Sequence, residues 1–314
     1  MVAHGIASTP MLQAIGRTPV VRLGAVVPPR SAAVYVKLEY LNPTGSYKDR
    51  MALAMIEEAE RRGALTSGMT VVEYTGGSTG SSLAFVCALK GYRFRVVSSD
   101  AFAAAKLRTM RAFGAEVDII PSTGGRITPD LIPRMMARAR ELAAEPRTYF
   151  TNQIHNHDAI VGYAAIGREL LAQIPDGIDA FVAAVGGAGM LMGVAGVLRG
   201  SRPGTRIVAL EPSSSPLLSA GRAGSHRVEG IGIGVVPPLF DRTLCNEVRA
   251  IDEGEARDMC RRLAREEGIL AGTSSGMNVV GALALARELG AGQAVVTVAC
   301  DAGLKYLDGD LFGG

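Results

Sequence analysis

The chain has no tryptophan and only four cysteines in 314 residues. Cys87, Cys245, Cys260 and Cys300 stand too far apart for any CxxC pair, which argues against a disulfide framework or a metal site. No basic run is interleaved with aromatics, and a formal charge of +3 is too small to suggest a nucleic-acid partner. The apolar stretch 180–198 is broken by glycine and alanine at 186–189, so it reads as strand, loop and helix, and no membrane span is expected. Residues 1–11 lack a basic start and an apolar core, so no signal peptide is expected, and a reducing cytoplasm fits best. No lysine precedes serine or threonine, which excludes a Walker A loop. A GxGxxG begun at Gly187 would need glycine where Met192 stands, so the dinucleotide fingerprint fails as well. Lysine itself is scarce, with five residues (37, 48, 90, 106 and 305) against 28 arginines.

What is present is an ordinary globular composition, 48% hydrophobic and 20% charged, in a chain long enough for two domains of about 150 residues. Short β-branched runs at 34–38, 70–74, 93–98, 116–120, 178–185, 206–210 and 294–299 read as buried strands. Helical patterns lie between them, and those at 49–62, 81–90 and 103–113 are each followed by a glycine (63, 91 and 114), the signature of a left-handed cap. Alternating strands and helices predict α/β architecture with parallel sheets covered on both faces. The mixed charges of 255–267 predict a surface helix supported by i, i+3 and i+4 pairs.

Three local features point to chemistry. Lys48 lies where the turn-rich loop Asn42-Pro43-Thr44-Gly45-Ser46-Tyr47 runs into a helix. A primary amine forms a Schiff base, which an arginine cannot; a solvated surface lysine fits this stretch equally well. The strand at 71–74 leads through Thr75-Gly76-Gly77-Ser78-Thr79-Gly80 into a helix, and the strand at 181–185 leads through Gly186-Gly187-Ala188-Gly189 into another. Glycine lets such turns expose backbone N–H groups at a helix N-terminus, where an anion is favoured; a tight turn without a ligand is the alternative for each. Two anion sockets and a loop lysine match the needs of a cofactor phosphate, a substrate carboxylate and an imine, the requirements of a pyridoxal-phosphate enzyme acting on an amino acid.

Nearly the whole chain resembles the cysteine synthase and cystathionine β-synthase branch of fold-type II pyridoxal-phosphate enzymes. Ile15 to Leu23 is similar to IGNTPLVRL, and Lys37 to Arg50 to KLExxNPTGSxKDR. Thr75 to Gly80 stands in the place of TSGNTG, and Gly186 to Gly193 in that of GTGGTxTG. Glu211-Pro212, Glu229 to Asp241 (QGIGAGFVPxxxD), Arg262 to Gly276 (RLAREEGILxGISSG) and Cys300 to Leu307 (PDSGxRYL) follow in order. The resemblance implies two αβα three-layer domains of the tryptophan synthase β-subunit kind. A small substrate-carboxylate domain (43–151) is expected as an insertion in a large cofactor domain (1–42 and 152–314).

The resemblance also implies roles. Lys48 binds pyridoxal 5'-phosphate and serves as the base for the substrate α-proton. Thr75, Gly76, Gly77, Thr79 and Gln153 hold the substrate carboxylate, and Gly230 and Ile231 line the site. Gly186, Gly187, Ala188, Gly189 and Met190 hold the phosphate, with Ser78 and Ala302 beside the cofactor ring. The implied activity is β-replacement on an O-activated L-serine through α-aminoacrylate, with a specialised donor or nucleophile, in a homodimer with a small amino-acid substrate. A serine or threonine ammonia-lyase shares every motif and is the alternative, with a non-catalytic member third. No metal is expected, since His155 and His157 lack a third ligand nearby.

The sequence departs from the family pattern at several of these positions. Ser78 replaces an asparagine, Gly76 a serine, Gly187 and Met190 two phosphate-binding threonines, and Ala302 a serine expected at the pyridine nitrogen. Loss of two neutral hydrogen bonds at the phosphate costs about 1–3 kcal/mol of affinity.

Overall fold

A computed structural model describes residues 10–313 except 126, 127 and 129. The chain divides into two compact units, one formed by the described part of 1–15 with 48–162, the other by 16–47 and 163–313.

The first unit is built on a four-stranded parallel sheet: β3 (Thr70–Tyr74), β4 (Arg93–Ser99), β5 (Glu116–Ile120) and β6 (Thr148–Phe150). The spatial order is β5-β4-β3-β6. Helices α2 (Ser78–Lys90), α3 (Ala104–Ala112) and α4 (Leu131–Ala143) connect them, and α1 (Lys48–Arg61) precedes them. Every residue of β3 is buried, as a parallel strand covered on both faces requires. On one face Val72, Tyr74 and Val97 pack against Leu131, Met135, Ala139 and Leu142 of α4. Helix α1 buries Met51, Ala52, Met55, Ile56 and Ala59, one stripe of a 3.6-residue repeat. Gly91 ends α2 in the left-handed conformation (φ 75°), its N–H returning to the Cys87 carbonyl.

The second unit holds a six-stranded sheet in the order β1-β2-β10-β7-β8-β9. Its strands are β1 (Val20–Arg22), β2 (Ala33–Leu38), β7 (Ala180–Ala184), β8 (Arg206–Pro212), β9 (Glu247–Ile251) and β10 (Ala294–Ala299). All neighbours are parallel except the β1–β2 edge pair. The rest comprises most of α5 (Asp158–Gln173), α6 (Gly189–Ser201), the short α7 (Leu217–Ala220), α8 (Glu253–Arg262) and α9 (Thr273–Leu289). The helix expected over 255–267 gives way after Arg262 to one π-helical turn, Leu263–Glu267, closed by Gly268 in the left-handed region. Strands β1, β6 and β9 and helices α4, α5, α7 and α9 add to the predicted set. The first two strands are three residues long, too short for a periodic signal. Among the described residues no helix is long and apolar enough to cross a membrane.

Candidate active site

Both sheets change winding direction once, and both glycine-rich loops lie at the change. In the first unit the chain steps outward from β3 through β4 to β5, then returns to the other side of β3 with β6. The loops leaving the C-terminal ends of β3 and β6 therefore diverge around a crevice, where ligands bind in open α/β sheets. They carry Thr75–Thr79 and Gln153. Thr79 donates its hydroxyl to Gln153 Oε1 at 2.7 Å, across 74 residues of sequence.

This pair has a buried foundation that the sequence reading did not single out. Glu73, fully buried on β3, accepts from the Thr151 hydroxyl (2.7 Å), the Gln153 amide (2.9 Å) and the Tyr74 amide (2.9 Å). Burial pushes its carboxyl up to about 7, against three hydrogen bonds that favour the charged form. A lone carboxylate inside the apolar run Val71-Val72-Glu73-Tyr74 marks the residue as unusual in the sequence, but not the partners it anchors.

Helix α2 starts at Ser78 with Gly77 as its N-cap, and no side chain caps it. Its first N–H groups are thus suited to an anion. Thr75 turns its hydroxyl back to accept from the Gly77 amide (3.1 Å), and its own amide bonds Val97 O (3.0 Å). Gly76 lies under an aromatic ring: a Cβ placed on it falls 2.2 Å from Cγ and Cδ1 of Phe102. Lys48 opens α1 in the same unit, half-buried, as its first helical residue.

In the second unit the change of direction falls between β7 and β10. The two pair only at Val295–Ala180 and Val296–Phe181, then part. Buried Asn278 of α9 bridges the opening, accepting from the Ala184 amide (2.7 Å) and donating to Val298 O (2.8 Å). The loop after β7 spans 185–188 and runs into α6 at Gly189. Ala188, the N-cap, adopts a left-handed conformation (φ 64°) and leaves the helix start without a side-chain cap. A Cβ on Gly186 would lie 2.3 Å from the Gly230 carbonyl oxygen, and the Gly232 amide donates to Val185 O (3.1 Å). The loop carrying Gly230 and Ile231 thus closes on the Gly186 turn through backbone alone. This cradle of bare N–H groups at a helix N-terminus fits a phosphate without the two missing threonines.

The segment after β10 carries Ala302. Its amide donates to Gly45 O (3.0 Å), and the Tyr47 amide donates to Cys300 O (3.0 Å), so the Asn42–Tyr47 loop is fixed to the end of this strand. Asp301 accepts from the Tyr306 hydroxyl (2.8 Å), a structural engagement. The hydroxyls at the start of α9, within a motif that carries no assigned role, hold two loops together. Thr273 accepts from the Glu229 amide (3.1 Å) and Ser275 from the Cys300 amide (2.8 Å), which ties the loops at 229 and 300 to one helix terminus. Elsewhere, Cys87 is core, Arg108 and Arg111 are exposed, and His155 faces Asn152 Oδ1 (3.1 Å). Among the described residues no three His, Cys, Asp or Glu side chains group as metal ligands.

The model of one family, the pyridoxal-phosphate dependent enzymes, matches residues 11–301. A cysteine synthase of Staphylococcus aureus is 42% identical over 302 residues, 96% of each chain. An O-ureido-L-serine synthase of Streptomyces lavendulae is 37% identical, covering 97% of this chain and 92% of the relative. A crystal structure of O-ureido-L-serine synthase superposes with a TM-score of 0.89 at 38% identity, covering 97% of this chain and 95% of that one.

Proposed function

The chain belongs to the family of pyridoxal-phosphate dependent enzymes, and we propose on that premise that it replaces the β-substituent of an O-activated L-serine with an incoming nucleophile. It is an enzyme of the cysteine synthase type and depends on pyridoxal phosphate. The observation that carries the reading is the pair of glycine-built anion sockets, each at the winding change of its own sheet. Both relatives are named for products built on a serine or cysteine skeleton.

Bound pyridoxal phosphate supplies an electron sink that acidifies the α-hydrogen of an attached amino acid. Lys48 provides the amine that anchors the cofactor; free of that anchorage, the same amine is the base for the α-proton. The backbone amides of Gly186–Met190 would hold the phosphate, and Ser78 and Ala302 are the residues proposed to meet the cofactor's ring. Thr75, Gly76, Gly77, Thr79 and Gln153 hold the substrate carboxylate, while Gly230 and Ile231 border the substrate. The β-oxygen leaves with its bonding pair, the nucleophile forms the new bond at the same carbon, and the protonated Lys48 amine returns a proton to the α-carbon. In domain terms, the unit containing 48–162 carries the carboxylate socket and the other carries the phosphate socket. A second copy of the chain is the proposed partner. The four free, buried cysteines suit the reducing cytoplasm as its location.

The test is a visible spectrum of the purified protein and of Lys48→Ala, followed by incubation with O-acetylserine, O-phosphoserine or serine, with and without sulfide. A cofactor band lost in the variant, and a β-substituted alanine formed in step with leaving-group release, are expected. Release of a 2-oxo acid and ammonia in place of that product would reassign the protein as an ammonia-lyase. No cofactor band after adding pyridoxal phosphate would sink the reading altogether. Light scattering at twice the chain mass checks the dimer.

A further inference from the structure

Building on the reading of Thr75–Thr79 as the substrate-carboxylate loop, we propose that Phe102 is a positioning residue for that loop and forms a matched pair with Gly76. No role attaches to residue 102 in the sequence reading or in the catalytic scheme. Its ring nevertheless lies directly on Gly76: a Cβ there would be 2.2 Å from Cγ and Cδ1 and 2.3 Å from Cδ2. These are the atoms at the stem of the ring, so rotating the ring about its own axis does not relieve the overlap. Only a change of χ1 or a shift of backbone makes room.

The ring is held where it is by the turn that follows β4. The Phe102 amide donates to Ser99 O (3.3 Å), and the Ala101 amide to the Ser99 hydroxyl (3.3 Å). Asp100 accepts from the Ser122 amide (2.8 Å) and the Ser99 hydroxyl (3.1 Å), clamping the turn to the chain beyond β5. Ala101 and Phe102 also pack against the cluster of Val72, Tyr74, Val97 and the α4 side chains. Because β4 pairs in register beside β3, the turn leaving β4 delivers its side chain onto the loop leaving β3.

Two consequences follow from this placement. The ring excludes every residue larger than glycine at 76, so the serine hydroxyl of the family pattern has no space here. In its place the ring covers one side of the loop backbone, keeping water away and strengthening the remaining N–H bonds to a carboxylate. Phe102 and Gly76 thus substitute a fixed, shielded backbone for a side-chain donor.

The experiment compares holoenzyme carrying Gly76→Ser, Phe102→Ala, Phe102→Leu and the double variant Gly76→Ser/Phe102→Ala, with Thr79→Ala as reference. Each is titrated with O-acetylserine, O-phosphoserine and serine through the change in cofactor absorbance, and KM and kcat are measured for the best of the three. Melting temperature and the substrate-free spectrum report folding. Displacing a positioned group costs up to about a hundredfold; Gly76→Ser is expected near that limit in KM. Phe102→Ala is expected to raise KM about tenfold with kcat little changed, the mark of lost ground-state binding. Phe102→Leu should fall between Phe102→Ala and wild type. The double variant is expected to bind better than Gly76→Ser alone, since the serine then has room. If the two substitutions add independently, or Gly76→Ser alone is neutral, the pairing is wrong. A Gly76→Ser protein that does not fold leaves the decision to Phe102→Ala, where an unchanged KM overturns the proposal. Silence of Thr79→Ala would show that the loop does not hold the carboxylate; the reading under Proposed function then fails, and this proposal with it.

Discussion

Glu73 shows how one buried side chain supports a site it does not enter. Its carboxylate takes hydrogen bonds from Thr151, Gln153 and Tyr74, and Gln153 in turn meets Thr79. Its proton also links folding to pH. The unfolded carboxyl titrates at 4.5 and the folded one at about 7, so between those values the folded chain alone holds the proton. Stability contributed by this group is complete below the lower value and is lost as pH rises to the upper, by up to about 3–4 kcal/mol at about 1.4 kcal/mol per unit. Glu73→Gln, neutral throughout, should lower the urea midpoint near pH 5, because its amide nitrogen cannot accept from Tyr74. It should also flatten the fall in midpoint between about pH 5 and about pH 8. An equal fall in both proteins would assign the pH dependence to another group. Neither Glu73's anchoring role nor the Phe102–Gly76 contact was legible in the sequence, for both join residues from separate strands and loops. The two glycine turns and the loop-to-helix position of Lys48 were, because turn requirements and helix starts are local properties.

At the scale of elements, the proposed phosphate socket is a turn and a helix start that no side chain caps. Gly186 is the critical position, since a Cβ there meets the backbone oxygen of Gly230 at 2.3 Å and backbone cannot swing aside. Gly186→Ala is expected to cost about 1–3 kcal/mol through the forced shift. It should weaken retention of pyridoxal phosphate more than tenfold, measured by residual visible absorbance after dialysis. Full retention would place the phosphate elsewhere. Predicted strands at 70–74, 116–120 and 294–299 match the observed bounds, because β-branched runs carry a signal of their own; the one at 116–120, expected to be buried, is an edge strand with no fully buried residue. Helix α2 begins at Ser78, three residues before the predicted start, since its first turn is glycine and hydroxyl residues that local propensity assigns to a loop.

For the whole molecule, two sheets each change winding direction beside a glycine-rich turn, and the cofactor should report on both fold and proposed site. A ligand that binds only the folded chain stabilises it by about 2.7 kcal/mol at a hundred times its dissociation constant. At about 2–4 °C per kcal/mol for a large domain, removal of pyridoxal phosphate should lower the melting temperature by roughly 5–10 °C. Calorimetry of the apo and reconstituted protein measures this, and identical curves would deny tight binding by the folded state. The sequence by itself determined the alternation of strand and helix, the lysine, the two glycine turns and, through ordered motifs, the family. These follow from chemistry within a few residues of each position. Only the tertiary structure decided that β6 returns beside β3 and β10 beside β7. That choice brings Gln153 to Thr79 and opens the gap Asn278 fills. It also revealed the ring of Phe102 seated on Gly76. Strand order is set by which buried faces fit together, a property of packing between distant segments that local sequence does not encode.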